Sequence, residues 1–90
     1  MKLERASDGI HKYVATFSDG KTTSFGQLGA DDFTLTRDVD ARTRYRQRHR
    51  KDLETNDPRR AGYLSYYILW NLSTVALSLA DYKKRFPSAL

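Results

Sequence analysis

The sequence predicts an α+β fold: an N-terminal β-hairpin packed on about three α-helices. Three observations predict it. The stretches Lys12–Phe17 and Lys21–Phe25 are rich in strand formers and flank the turn signal Ser18-Asp19-Gly20. Two stripes recur at helical spacing: Ala41, Tyr45, His49, Leu53, and then Val75, Leu79, Tyr82, Phe86. Asp57-Pro58 is a helix start and Pro87 a helix stop.

Residues 1–11 read as a flexible tail, polar on balance and without the apolar run of a secretory signal. The single domain is expected over 12–86, with the hairpin at 12–26. A three-residue loop with Gly20 in the left-handed region sets Tyr13 opposite Phe25 and gathers Tyr13, Ala15, Phe17 and Phe25 on one face. A lone hairpin is marginal in water, so that face must dock on helices. Residues 26–30 read as a loop, and Phe33–Thr36 as a third short strand or an extended connector. Asp38 caps a helix expected over about 39–53.

A second helix is expected over about 58–70, with Asp57 at its N-cap and Pro58 in its first turn. Ala61, Leu64, Ser65 and Ile68 line one side of it; Tyr63, Tyr66, Tyr67 and Trp70 crowd the other. So few polar groups remain that this helix should be central and covered on more than one side. Asn71 ends it and Ser73 caps a third helix over about 73–86, whose last turn carries Lys83, Lys84 and Arg85, where cations suit the helix dipole. Residues 87–90 read as a tail.

Composition bounds the function. The chain has 90 residues, enough for one domain that buries about two thirds of its unfolded surface. Its 39% hydrophobic and 30% charged residues are a globular composition. A net charge of +5, from 16 Lys+Arg against 11 Asp+Glu, favours acidic partners: nucleic acid, an anionic membrane face or an acidic protein surface. With no cysteine, disulfides and thiolate metal sites are excluded, and a reducing compartment is expected.

The arginine-rich segment is the first candidate site. Arg42, Arg46 and Arg50 fall roughly on one side of the expected helix, and Arg44, Arg48 and Lys51 roughly opposite. Charge that wraps a helix is a poor design for reading a DNA groove, which needs a few side chains aimed at base edges. The bland alternative is a solvated helix with ion pairs to Asp38, Asp40, Asp52 and Glu54. Tyrosines are the second candidate. Tyr63 and Tyr66 are expected to join the arginines in contacting a partner, by stacking on bases or by anchoring a protein interface. Core packing is the reading favoured for Tyr67 and Trp70.

Enzyme chemistry finds little support. His11 lies in the expected tail and His49 on a helix stripe, and neither has a spaced metal-ligand partner. Asp31-Asp32 is a carboxylate pair without acid/base geometry, Gly26–Gly29 is too short for a phosphate loop, and no nucleophile–base set stands out. No cofactor and no metal are expected. Ala61–Ala80 carries no charge, and its length could span a bilayer. Asn71, Ser73 and Thr74 at its centre favour two helices joined by a tight turn over a single membrane span.

The ordered series Lys12–Phe17, Phe25-Gly26, Asp32–Thr34, Arg44–Arg50, Asp57–Gly62, Leu69–Asn71 and Asp81–Phe86 resembles a family of short proteins encoded by giant and algal nucleocytoplasmic large DNA viruses. The resemblance covers roughly residues 12–86. That family often has Lys-Pro after its Trp-Asn pair, where this chain has Leu72-Ser73. The resemblance implies a place in the virion, or in the host cytoplasm at the virus factory, and carries no catalytic residues. The expected function is therefore a non-enzymatic minor capsid protein bridging major and other minor capsid proteins by their acidic surfaces. A basic nucleic-acid-binding protein is the alternative, and a small single-span membrane protein the weaker one.

Overall fold

Gly20 sits at φ 86°, a conformation that costs glycine nothing. Phe17 N–H donates to Lys21 O (2.9 Å) and Gly20 N–H to Phe17 O (2.9 Å), closing the three-residue loop the sequence predicts. In the computed structural model, which describes residues 1–90, this loop joins β2 (His11–Thr16) to β3 (Thr22–Gln27). Tyr13 pairs with Phe25, their ring centroids 5.9 Å apart. Ala15, Phe17 and Phe25 are buried on the shared face.

The expected flexible tail is instead partly a strand. β1 (Lys2–Arg5) pairs antiparallel with β2, giving a three-stranded sheet in the order β1-β2-β3. Asp8 makes the reversal: its Oδ1 accepts from the N–H groups of Ile10 and His11 (both 2.9 Å), and Gly9 takes φ 71°. A short polar side chain that binds its own backbone two residues on is a turn device, and Leu3 supplies the apolar contact that holds the strand down.

Phe33–Thr36 is one turn of helix, α1, rather than a strand or connector. Asp32 decides this. Its Oδ1 accepts from Thr34 N–H (2.8 Å) and from the Thr34 hydroxyl (2.5 Å), while its Oδ2 takes the Lys12 ammonium (2.5 Å). A carboxylate 2% exposed is thus an N-cap and half of an enclosed ion pair at once.

The helix expected over 39–53 ends sooner. α2 (Val39–Arg48) is capped by Asp38, whose Oδ1 accepts from Asp40 N–H (3.0 Å) and Ala41 N–H (3.1 Å). A 3₁₀ segment, Arg50–Thr55, follows and stops at Asn56 in the left-handed region, φ 53°. Ala41, Tyr45, His49 and Leu53 are half-buried along one stripe, as the spacing predicts.

The second helix starts at Ala61, not Pro58: α3 (Ala61–Leu64) runs on into a π-helical turn (Ser65–Leu69). Asp57 caps only a turn, accepting from Arg59 N–H (3.1 Å). Outside contacts claim the two residues after it. Pro58 O accepts the Tyr82 hydroxyl (2.7 Å), and Arg59 donates to Ala89 O (2.7 Å) and Asp19 Oδ2 (2.6 Å) with its guanidinium over the Phe17 ring. The π turn, closed by Trp70 N–H to Ser65 O (3.1 Å), lets Leu64, Ile68 and Leu69 all turn inward. α4 (Val75–Arg85) is capped by Thr74 rather than Ser73, with Thr74 Oγ1 accepting from Leu77 N–H (3.1 Å).

The core is Ala15, Phe17, Phe25, Leu64, Ile68, Leu69 and Tyr82. The helical segment 61–69 therefore lies between the sheet and α4, the central place its low polarity predicts. Residues 87–90 are not a tail: a 3₁₀ turn (Pro87–Ala89) buries Ala89, and Ser18 N–H donates to Leu90 O (2.8 Å). The uncharged stretch Ala61–Ala80 breaks between Trp70 and Thr74, and no helix is long and apolar enough to cross a membrane.

Candidate interaction surface

α2 has no buried residue. It is held to the body by side chains that reach across rather than by an apolar face. Tyr45 stacks on Trp70, with centroids 4.4 Å apart and planes 8° from parallel, and His49 stacks on the other side of Tyr45 at 4.1 Å. Enclosure in this stack pushes the Tyr45 hydroxyl pKa upward.

Two arginines make the remaining attachment. Arg46 Nε donates to Trp70 O (2.9 Å) and its Nη2 to Asn71 Oδ1 (3.2 Å), while its guanidinium lies 4.5 Å from the centre of the Tyr66 ring. Arg42 Nη1 donates to Asn71 O (2.9 Å), with its guanidinium 4.4 Å over Phe33. Both thus satisfy carbonyls left unbonded where the π turn ends. Asn71, 6% exposed, completes the arrangement by donating from Nδ2 to Asp81 Oδ2 (2.7 Å). Asp81 also accepts from Arg85 Nε (2.7 Å), and chiefly that bond, then the one from Asn71, holds its carboxyl below the usual range.

Arg42, Arg46, Arg50 and Tyr66 come together in one groove of about 590 Å³, completed by Thr43, Gln47 and Leu53. Arg48 belongs to a different cleft, of about 400 Å³, across α2, where it joins Tyr45, His49 and Trp70 beside Lys12 and Asp32. Arg44 is exposed. Tyr63 does not serve as a contact residue: it is 8% exposed, and its hydroxyl donates inward to Leu53 O (2.8 Å) because the 3₁₀ segment folds over it.

The expected ion pairs to Asp38, Asp40, Asp52 and Glu54 do not form with any of Arg42, Arg44, Arg46, Arg48 or Arg50. Asp52 goes to His49 instead (3.0 Å). None of the five guanidiniums therefore lies within ion-pair distance of a carboxylate of the chain. Arg42 and Arg46 in addition are fixed in place by neutral acceptors and retain free N–H groups. A guanidinium held this way is preorganised for a carboxylate or phosphate. His11 pairs only with Asp8 (2.6 Å), and no group of three acidic or histidine side chains gathers as metal ligands would.

Sequence reasoning missed Asn71 as the residue that receives both arginines; the spacing of Arg42 and Arg46 one turn apart was the available signal. Lys12–Asp32 was also missed, since nothing in sequence marks two residues so far apart as partners.

A family of unknown function (DUF5754) matches residues 1–49, more than half of the chain. The chain belongs to this family. No curated protein and no solved structure matches it. The DUF5754 segment takes in the sheet, α1 and α2, and so includes Arg42, Arg44, Arg46 and Arg48. Tyr66, Trp70 and Asn71, against which that segment's arginine helix docks, lie beyond the DUF5754 match.

Proposed function

We propose that this chain is a non-enzymatic interaction protein, a minor capsid component that bridges larger capsid subunits through their acidic surfaces. One observation carries the interaction reading: none of the five arginines from Arg42 to Arg50 has a carboxylate partner within the chain. Charge left open at a surface steers association with an opposite potential. Its distribution suits a bridge, with Arg50 in the Tyr66 groove and Arg48 in the cleft on the far side of α2. The capsid setting rests on the resemblance to large-DNA-virus proteins.

Quantitative mass spectrometry of fractionated particles tests it. The chain is expected at a fixed ratio to the major capsid protein, in a layer from which high salt releases it. A chain missing from the particle, or present only in traces, removes the proposal.

Nucleic-acid binding is the second reading, favoured by Tyr66 lying among three arginines where a base could stack. It predicts affinity for a short single strand that falls with a log–log salt slope of about −2 for three phosphate contacts. Arg50→Gln, which leaves the attachment of α2 intact, should weaken that binding and flatten the slope. Affinity indifferent to salt and to Arg50→Gln rules the reading out.

A further inference from the structure

β1 is an open edge of the sheet, since only β2 lies beside it. The hydrogen-bond phase of that edge can be read from two bonds. Ala6 N–H donates to Lys12 O (3.1 Å) and Phe17 N–H to Lys21 O (2.9 Å). Even-numbered residues of β2 therefore bond toward β1, and odd-numbered ones toward β3. With Lys2 opposite Thr16, Leu3 opposite Ala15 and Glu4 opposite Val14, Lys2 and Glu4 bond inward. The N–H and C=O groups of Leu3 and Arg5 then point out of the sheet toward open space.

The side chains on this edge alternate. Leu3 packs on the core, while Lys2 and Glu4 are exposed on the other face, 73% and 53% respectively, and carry opposite charges. Charged edge strands usually discourage pairing. Here the order of charges is its own complement. We propose that β1 pairs antiparallel with β1 of a second copy of this chain, about a twofold axis at Leu3, making one continuous six-stranded sheet.

Phase and charge select this register from its neighbours. Centred on Leu3, the outward groups of the two Leu3 residues bond to each other. Lys2 then falls opposite the partner's Glu4 in the closer, non-hydrogen-bonded position, and symmetry makes that pair twice. Centring on Glu4 keeps the hydrogen-bond phase but sets the two Glu4 carboxylates face to face. Centring on Arg5 opposes the two Arg5 side chains. Leu3 of each copy meets the other on the core side, so the two apolar layers also join. The surface is separate from the arginine groove, and the inference stands whether or not the bridging function does.

Analytical ultracentrifugation over a range of concentrations at low salt tests it. The parent chain is expected to associate reversibly as a dimer. Lys2→Glu and Glu4→Lys should each weaken the dimer by about tenfold, because each turns two attractive cross-strand pairs into repulsive ones. Both side chains are exposed, so circular dichroism should report an unchanged fold. An equimolar mixture of the two variants should recover the parent's association, since each strand then opposes its complement. A monomer at every concentration, single variants that dimerise like the parent, or a mixture no tighter than its components overturns the proposal.

Discussion

Arg46 donates to Asn71 Oδ1 at 3.2 Å, and Asn71 passes the contact on by donating to Asp81 Oδ2 at 2.7 Å. This relay ties α2 to α4 through a residue in neither helix. Its centre, Asn71, is enclosed, while Arg46 and Asp81 on either side are half-buried. Asn71→Ala is expected to lower unfolding free energy by about 1–3 kcal/mol, the cost of leaving partly buried polar groups without their partner. Urea denaturation followed by circular dichroism reads this; a loss under about 0.5 kcal/mol would mean the relay is ornamental.

Two glycines with positive φ separate strain from crowding. Gly20, at φ 86°, faces open space, and Gly20→Ala should cost about 1–2 kcal/mol from left-handed backbone alone. Gly26, at φ 76°, would set a Cβ 2.8 Å from Leu69 Cδ1 and 3.2 Å from Lys12 Cβ. Gly26→Ala adds overpacking to the strain and should cost about 2–4 kcal/mol. Thermal midpoints of the two variants check this. Equal shifts would contradict the close approach of β3 to the π turn.

Much of the fold was legible because it rests on local chemistry. The Gly20 loop, the Tyr13–Phe25 register, the Asp38 cap and the stripe from Val75 to Phe86 each follow from a few neighbouring residues. What was missed depends on distant partners. β1 needs β2 to pair with and the core for Leu3 to pack on, and residues 87–90 are held by bonds to Arg59 and Ser18 together with the packing of Ala89 and Leu90. The start of the central helix moved from Pro58 to Ala61 because Tyr82 and Asp19 compete for the turn. The candidate site was legible as charge, and Arg42, Arg46, Arg50 and Tyr66 do share a groove. Which arginines carry structure was not legible, since that depends on where Asn71 comes to lie.

Tyr82 predicts behaviour in base. Burial pushes its hydroxyl pKa up to about 12 from an ordinary 10.0. A raised folded pKa favours the neutral form, so this contribution is whole below pH 10 and is lost as pH rises through 12. Stability should fall between those values, and Tyr82→Phe should show a shallower fall despite losing the bond to Pro58 O. Denaturant midpoints measured at intervals across this window decide it; parallel slopes for the two chains would contradict the burial of an ionisable hydroxyl.

The arginines of α2 and of the 3₁₀ segment that follows it divide into those that fasten the helix and those left for a partner. Side-by-side urea titrations of Arg46→Gln and Arg50→Gln test that division most directly. Arg46→Gln should lose about 2 kcal/mol, because bonds from a charged donor to Trp70 O and Asn71 Oδ1 go with it, whereas Arg50→Gln should stay within about 0.5 kcal/mol of the parent. Two variants of equal stability would contradict it.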